Sequence, residues 1–145
     1  MTAPLPDDVA RRLPYAMVRL RARLRTESAP ADRRWTWSQI ATLGRIAAEG
    51  PATTSALATA EHVRPQSMAE TVAVLLREGL VTRSPDPTDG RKALVSITDS
   101  GRELLAGIPA VRGAWLAAAI ERNLSPAEHR TLAEAVAIME RLADS

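Results

Sequence analysis

The stretch that most restricts the fold is PDPTDGRKALVSIT, residues 85–98. Pro85 and Pro87 fix two backbone angles within three residues. Asp86 and Asp89 are able to hydrogen-bond their own backbone, and Gly90 reaches positive φ without strain. No helix continues through such a run, so the chain turns here. Beyond the turn the residues alternate: Ala93, Val95 and Ile97 share one face, Leu94 and Ser96 the other. LVTRS (80–84) precedes it as the opposite strand. The expectation is a β-hairpin with a stiff tip carrying two adjacent cations, Arg91 and Lys92. On the hairpin alone, a solvated turn explains these cations as well as a binding role does.

Around the hairpin the periodicity is helical. Val9, Leu13, Met17, Leu20 and Leu24 recur at steps of three and four, predicting a helix over 7–25, with Pro14 starting it late or kinking it. ESAPADRR (27–34) reads as a loop. TWSQIATLGRIAAEG opens with Thr36 and carries Gln39 three residues on, the capping-box spacing. Ile40, Leu43, Ile46 and Ala47 form its apolar face. A short helix follows from the N-cap Thr53, with Ala56, Leu57 and Ala60 inward, and breaks at His62-Val63. The next opens at 64–65 with Pro65 in the first helical position, buries Met68, Thr71, Val72 and Leu75, and ends at Gly79. Thr98 ends the strand and caps the next helix. From there the chain is helical to about Arg122, with a kink or break expected near 107–109. A last helix has Ser125, Pro126 and Glu128 at its start and Leu132, Ala135, Val136, Met139 and Leu142 as its apolar set.

Two short helices across a tight turn, then a hairpin, describe a winged helix-turn-helix. The fold class is mainly α with a small β-hairpin wing (α+β), with long terminal helices. Three regions are expected: 1–35, the N-terminal helix of a dimerisation region; 36–100, a winged helix-turn-helix DNA-binding domain; and 101–145, C-terminal dimerisation helices. In this setting a stiff tip presenting Arg91 suits a narrow minor groove, whose negative potential attracts an inserted arginine. Asp89, two residues earlier, is placed to hold that guanidinium by a hydrogen bond or ion pair.

Residues 50–101 carry a family resemblance. DPTDGRKALVSIT resembles the wing signature of the MarR family of bacterial transcription regulators, an Asp-x-Arg followed by an apolar strand ending in Thr. GLVTR resembles the segment entering that wing, and TWSQIATL the family's capped second helix. The terminal helices agree in position and character. The resemblance implies a homodimer in which the first helix and the last two interlock two chains. The long apolar stripes and the scarcity of aromatics (three Trp, one Tyr, no Phe) point the same way more weakly.

Two reading helices related by a two-fold axis enter successive major grooves about 34 Å apart, so the partner is a near-palindromic double-stranded DNA operator. The leading turn of the fourth helix supplies Arg64, Gln66, Ser67 and Ala69. Gln66 is able to pair with an adenine edge, Arg64 with guanine or phosphate, and Ala69 to touch a thymine methyl. Gln66 and Ser67 equally suit a polar first turn with no ligand. Arg83, at the base of the wing, is a phosphate contact or a surface ion pair. Glu70 departs from the family, many of whose members have a basic residue there; it accepts from a cytosine, pairs with an arginine, or weakens binding. Over 61–100 the five basic residues face six acidic ones, so affinity must rest on placed arginines and symmetry rather than on a basic slab.

The resemblance also implies control by a small aromatic or amphipathic effector. Tyr15, Trp35 and Trp37 are the candidate ligand contacts, each with packing as the competing role; Trp115 suits a dimer contact. Thiol oxidation is excluded, because there is no cysteine. No cofactor, metal site or enzyme chemistry is expected: two isolated histidines and no Gly-rich phosphate loop leave nothing to assemble. The sequence shows no signal core and no apolar stretch approaching 18 residues, and is read as cytoplasmic, with no membrane partner. The function expected is a ligand-responsive repressor. The rival is a winged-helix adaptor for protein contact, which has no need for an aimed Arg91.

Overall fold

The computed structural model describes residues 6–27 and 34–145, without the side chains of 109–112; the loop expected over 27–34 falls almost wholly outside them. The elements run α1 (Pro6–Glu27), α2 (Trp37–Glu49), α3 (Thr54–Ala60), α4 (Pro65–Arg77), β1 (Val81–Pro85), β2 (Ala93–Ile97), α5 (Asp99–Asn123) and α6 (Pro126–Ala143). The chain divides into a central unit, Pro30–Pro109, and a terminal unit, Met1–Ala29 with Ala110–Ser145.

The central unit owes its helix boundaries to local chemistry. The Thr36 hydroxyl accepts from the Gln39 amide at 3.1 Å, and the Gln39 side chain accepts from the Thr36 amide at 2.9 Å. Such reciprocal capping satisfies two otherwise orphaned donors and contributes about 1 kcal/mol. Thr53 caps α3 in the same way, accepting from the Ala56 amide at 3.2 Å. Both α3 and α4 end in a left-handed residue. At α4 it is Gly79, φ +72, with Leu80 N–H bonded back to the Leu75 carbonyl at 3.0 Å. At α3 it is His62, φ +53, with Val63 N–H bonded back to the Ala58 carbonyl at 3.0 Å. These are Schellman closures, and the second forms the turn between the two short helices.

One apolar cluster holds the unit together: Leu43 and Ile46 of α2, Leu57 and Ala58 of α3, Met68, Val72 and Leu75 of α4, then Leu80, Val81 and Val95. Each large side chain so buried contributes about 1.5–3 kcal/mol. The faces differ from expectation at the smallest residues. Ala47 and Ala56 are exposed, while Thr42 and Ala58 are buried instead. Burying an alanine methyl gains only about 0.8 kcal/mol over leaving it exposed, so alanines mark a helix face poorly. Thr42 is tolerated inside because its hydroxyl donates to the Met68 thioether at 3.7 Å.

The hairpin pairs antiparallel, from Val81 opposite Ile97 to Pro85 opposite Ala93. Pro85 thus closes β1 rather than opening the turn. A third segment joins unforeseen: Ala52 exchanges two backbone bonds with Val95, at 2.8 and 3.2 Å. Thr98 caps α5 as expected, accepting from the Gly101 amide at 3.1 Å and donating to the Gly79 carbonyl at 2.6 Å. That second bond ties the start of α5 to the end of α4. Gly101 is needed at this tie, because a Cβ there would lie 2.3 Å from the Leu80 carbonyl oxygen.

Of the kink or break expected near 107–109, the break is absent: α5 is one helix from Asp99 to Asn123, as α1 is one helix through Pro14. Each glycine inside a helix costs about 1 kcal/mol relative to alanine, which packing readily offsets. Uninterrupted, α5 is by length and composition apolar enough to cross a membrane, contrary to the expectation of no such stretch. Its first turns pack otherwise: Gly101 is buried, and Leu104 and Leu105 lie against the central core.

In the terminal unit Ser125 and Glu128 form a second capping box, Ser125 N–H donating to the Glu128 carboxylate at 2.7 Å. That bond holds the Glu128 carboxyl below its ordinary value. The His129 ring meets the Ile120 carbonyl at 3.2 Å, joining the start of α6 to the end of α5. Arg23 of α1 lies over the Trp115 ring, 5.5 Å from its centroid. Neither α1 nor α6 buries a residue.

Candidate nucleic-acid interface

Everything that presents α4 and the wing belongs to the central unit. Met68, Val72 and Leu75 are buried beneath α4, which turns its opposite side to solvent. Gln66, Ser67, Ala69 and Glu70 are exposed there, and Arg64 precedes them at the N-cap, supporting the helix by its backbone position alone. The amino end of α4 thus offers unpaired backbone N–H groups and polar side chains together, the arrangement that meets phosphates and base edges.

The turn between the short helices is held from behind. Arg45 of α2 donates through Nε to Glu61, the C-cap of α3, and through Nη1 to Glu49 at 2.7 Å. The Glu61 bond is foremost in raising the Arg45 pKa above its ordinary value. Sequence reading missed this tie. Arg45 and Glu49 stand at helical i, i+4 spacing, but nothing local points Arg45 to Glu61. A second unforeseen pair joins Arg34 to Glu78 at 2.8 Å, with the Arg34 guanidinium 5.0 Å from the centre of the Trp35 ring.

The wing tip is built from the two aspartates. Asp86 Oδ1 accepts from the Thr88 amide at 2.9 Å and from the Thr88 hydroxyl at 2.8 Å. Those bonds, the amide first, hold the Asp86 carboxyl below its ordinary value. Asp89 Oδ1 accepts from the Arg91 amide at 3.1 Å and lies 3.6 Å from the Arg91 Nε. Backbone bonds from Asp86 to Lys92 and from Lys92 to Asp89, both 3.0 Å, close the loop. The Arg91 side chain remains 95% exposed, so its local anchor leaves the guanidinium presented to solvent. Lys92 beside it and Arg83 on β1 are exposed, and neither forms an ion pair with a described residue.

The three aromatic candidates divide between the two units. Trp35 packs against the central core, and Trp37 begins α2 half-exposed. Tyr15 stands on α1 in the terminal unit, 74% exposed.

Comparison with known proteins agrees with this geometry. A model of the MarR family matches residues 35–93, from Trp35 to the first residue of β2. An HTH-type transcriptional regulator of Mycobacterium tuberculosis is 39% identical over 134 residues, which is 91% of this chain and 90% of that protein. Among solved structures, wild-type MarR from E. coli in its apo form superposes with a TM-score of 0.76 at 24% identity, covering 96% of this chain and 98% of that one. BpsR of Bordetella bronchiseptica, whose DNA binding is regulated by 6-hydroxynicotinic acid, does so with a TM-score of 0.73 at 22% identity, covering 100% and 99%. At those identities the two structures speak for the fold. The near-full-length relative and the family match together carry the assignment: this chain belongs to the MarR family of transcriptional regulators.

Proposed function

We propose that the protein binds a near-palindromic operator as a homodimer and represses transcription there, releasing DNA when a small aromatic or amphipathic molecule binds. MarR-family regulators bind DNA and act as dimers. The observation that carries the reading for this chain is the wing tip, where two aspartates brace a turn that leaves Arg91 95% exposed. Bracing the loop before binding lowers the ordering cost when the arginine enters a groove. Arg64, Gln66, Ser67 and Ala69 then read the major groove, Arg83 and Lys92 meet phosphates, and Asp89 positions Arg91. Repression is the commonest expectation for such a binder, and action in the cytoplasm follows from a chromosomal target. Effector control rests on the analogy with BpsR, with Tyr15, Trp35 and Trp37 as the candidate contacts.

The test is a titration of operator-containing DNA from the protein's own upstream region, wild type beside Arg91→Ala, at two salt concentrations. Arg91→Ala should weaken binding by roughly 1–3 kcal/mol and flatten the salt dependence. Equal, sequence-blind binding by both proteins would overturn the reading in favour of the protein-contact adaptor.

A further inference from the structure

Glu70 stands in the middle of the exposed side of α4, one turn beyond Gln66. No described residue forms an ion pair or hydrogen bond with it. It is therefore neither neutralised by a neighbouring arginine nor used to brace the fold. An unpaired carboxylate on a helix that approaches DNA is repelled by every phosphate, and it gains only where a base offers it a donor.

The donors available in the major groove are few. Guanine presents N7 and O6, both acceptors; thymine presents O4 and a methyl group; adenine pairs its N6 amino group with the acceptor N7; cytosine alone presents its N4 amino group without a neighbouring acceptor on the same base. An ionised carboxylate accepts only. It is thus repelled by guanine and thymine, partly opposed by adenine N7, and matched by cytosine.

We propose that Glu70 is a specificity-determining residue that selects a cytosine in each operator half-site and penalises DNA lacking it. This rests on the DNA-binding reading above. In that role Glu70 trades affinity for discrimination: it weakens attachment to arbitrary DNA while leaving the cognate site favoured. The absence of a basic slab around it is consistent with a binder whose hold on random sequence is weak.

The test is selection of bound sequences from a random duplex pool by wild type, Glu70→Gln, Glu70→Ala and Arg91→Ala, each first checked for wild-type helicity. Wild type should select a cytosine at one symmetric position. Glu70→Gln, whose amide both donates and accepts, should move that position toward adenine, changing the preference roughly tenfold. Glu70→Ala should erase the preference there and nowhere else, and both Glu70 variants should bind random duplex more tightly than wild type. Arg91→Ala should bind less but keep the cytosine. If wild type selects a sequence that both Glu70 variants reproduce at every position, Glu70 is not a reader, while the DNA-binding function stands. If wild type selects no sequence, that function falls, and this inference with it.

Discussion

In the central unit Leu43, Val72, Leu75 and Val95 are wholly shielded from solvent, whereas in α1 and α6 no residue is buried, and Val9, Val18, Leu20, Val136 and Leu142 stand 44–67% exposed. Both units come from one chain of ordinary apolar content, so the contrast is one of arrangement. Two Schellman closures, a hairpin and the Ala52–Val95 bridge surround the first set of side chains with protein. The second set lies along two long helices that a single chain leaves uncovered. Large apolar side chains left exposed along a helix suit an interaction surface. The central unit is complete as it stands, and the terminal helices await their proposed second copy.

The largest effect should come from the uncovered side. Leu132 and Val136 lie one turn apart on α6. Replacing both with Asp places charges where the partner copy would pack, and should convert the dimer to monomer in sedimentation equilibrium with near-complete loss of operator binding. A dimer that survives the double substitution would remove the terminal helices from the assembly. Next is Gly101→Ala, which attacks the self-contained unit. Its Cβ meets the Leu80 carbonyl oxygen at 2.3 Å and Ile97 Cγ1 at 2.7 Å. Overpacking of this kind should cost about 1–3 kcal/mol, read from the denaturant midpoint of the dimer. Native-state hydrogen exchange should place the loosening at the junction of α4, β1 and α5.

The smallest effect is electrostatic and confined to the wing. Asp86 titrates below its ordinary value of 3.8 in the folded protein. Its contribution is therefore present above that value and lost as pH falls through the lower, folded one. The Thr88 amide resonance should shift over that acidic range, while core resonances of Val72 and Val95 stay in place until global acid unfolding. A coincident shift of all three would mean that the wing and core open as one unit.

The sequence made some of this legible and hid the rest for physical reasons. Thr36 with Gln39, Thr53, Thr98 and Ser125 with Glu128 were readable because caps act over three residues. The wing was readable because prolines, aspartates and a glycine leave the backbone few choices. Faces defined by Ala47 and Ala56 were misplaced, since methyl groups bind weakly to either environment. The break expected near 107–109 failed because helix-weakening residues are costs that packing can outweigh. The Arg45–Glu61 tie and the Ala52–Val95 bridge were invisible: each joins residues distant in sequence through a single contact, which leaves no periodicity. For the interface itself, the wing tip and the amino end of α4 were foreseen as patterns. The isolation of Glu70 could only be learned from its surroundings in three dimensions.

Lys92 is the only lysine among 19 basic residues, and it sits exposed at the wing tip. Apart from the α-amine, the chain therefore offers amine chemistry one target, and the lack of cysteine leaves thiol chemistry none. Reductive methylation with isotope-labelled formaldehyde would place a compact spectroscopic reporter at that tip without altering its charge. Nature has left this regulator with a built-in beacon at the position where contact with a groove is expected to begin.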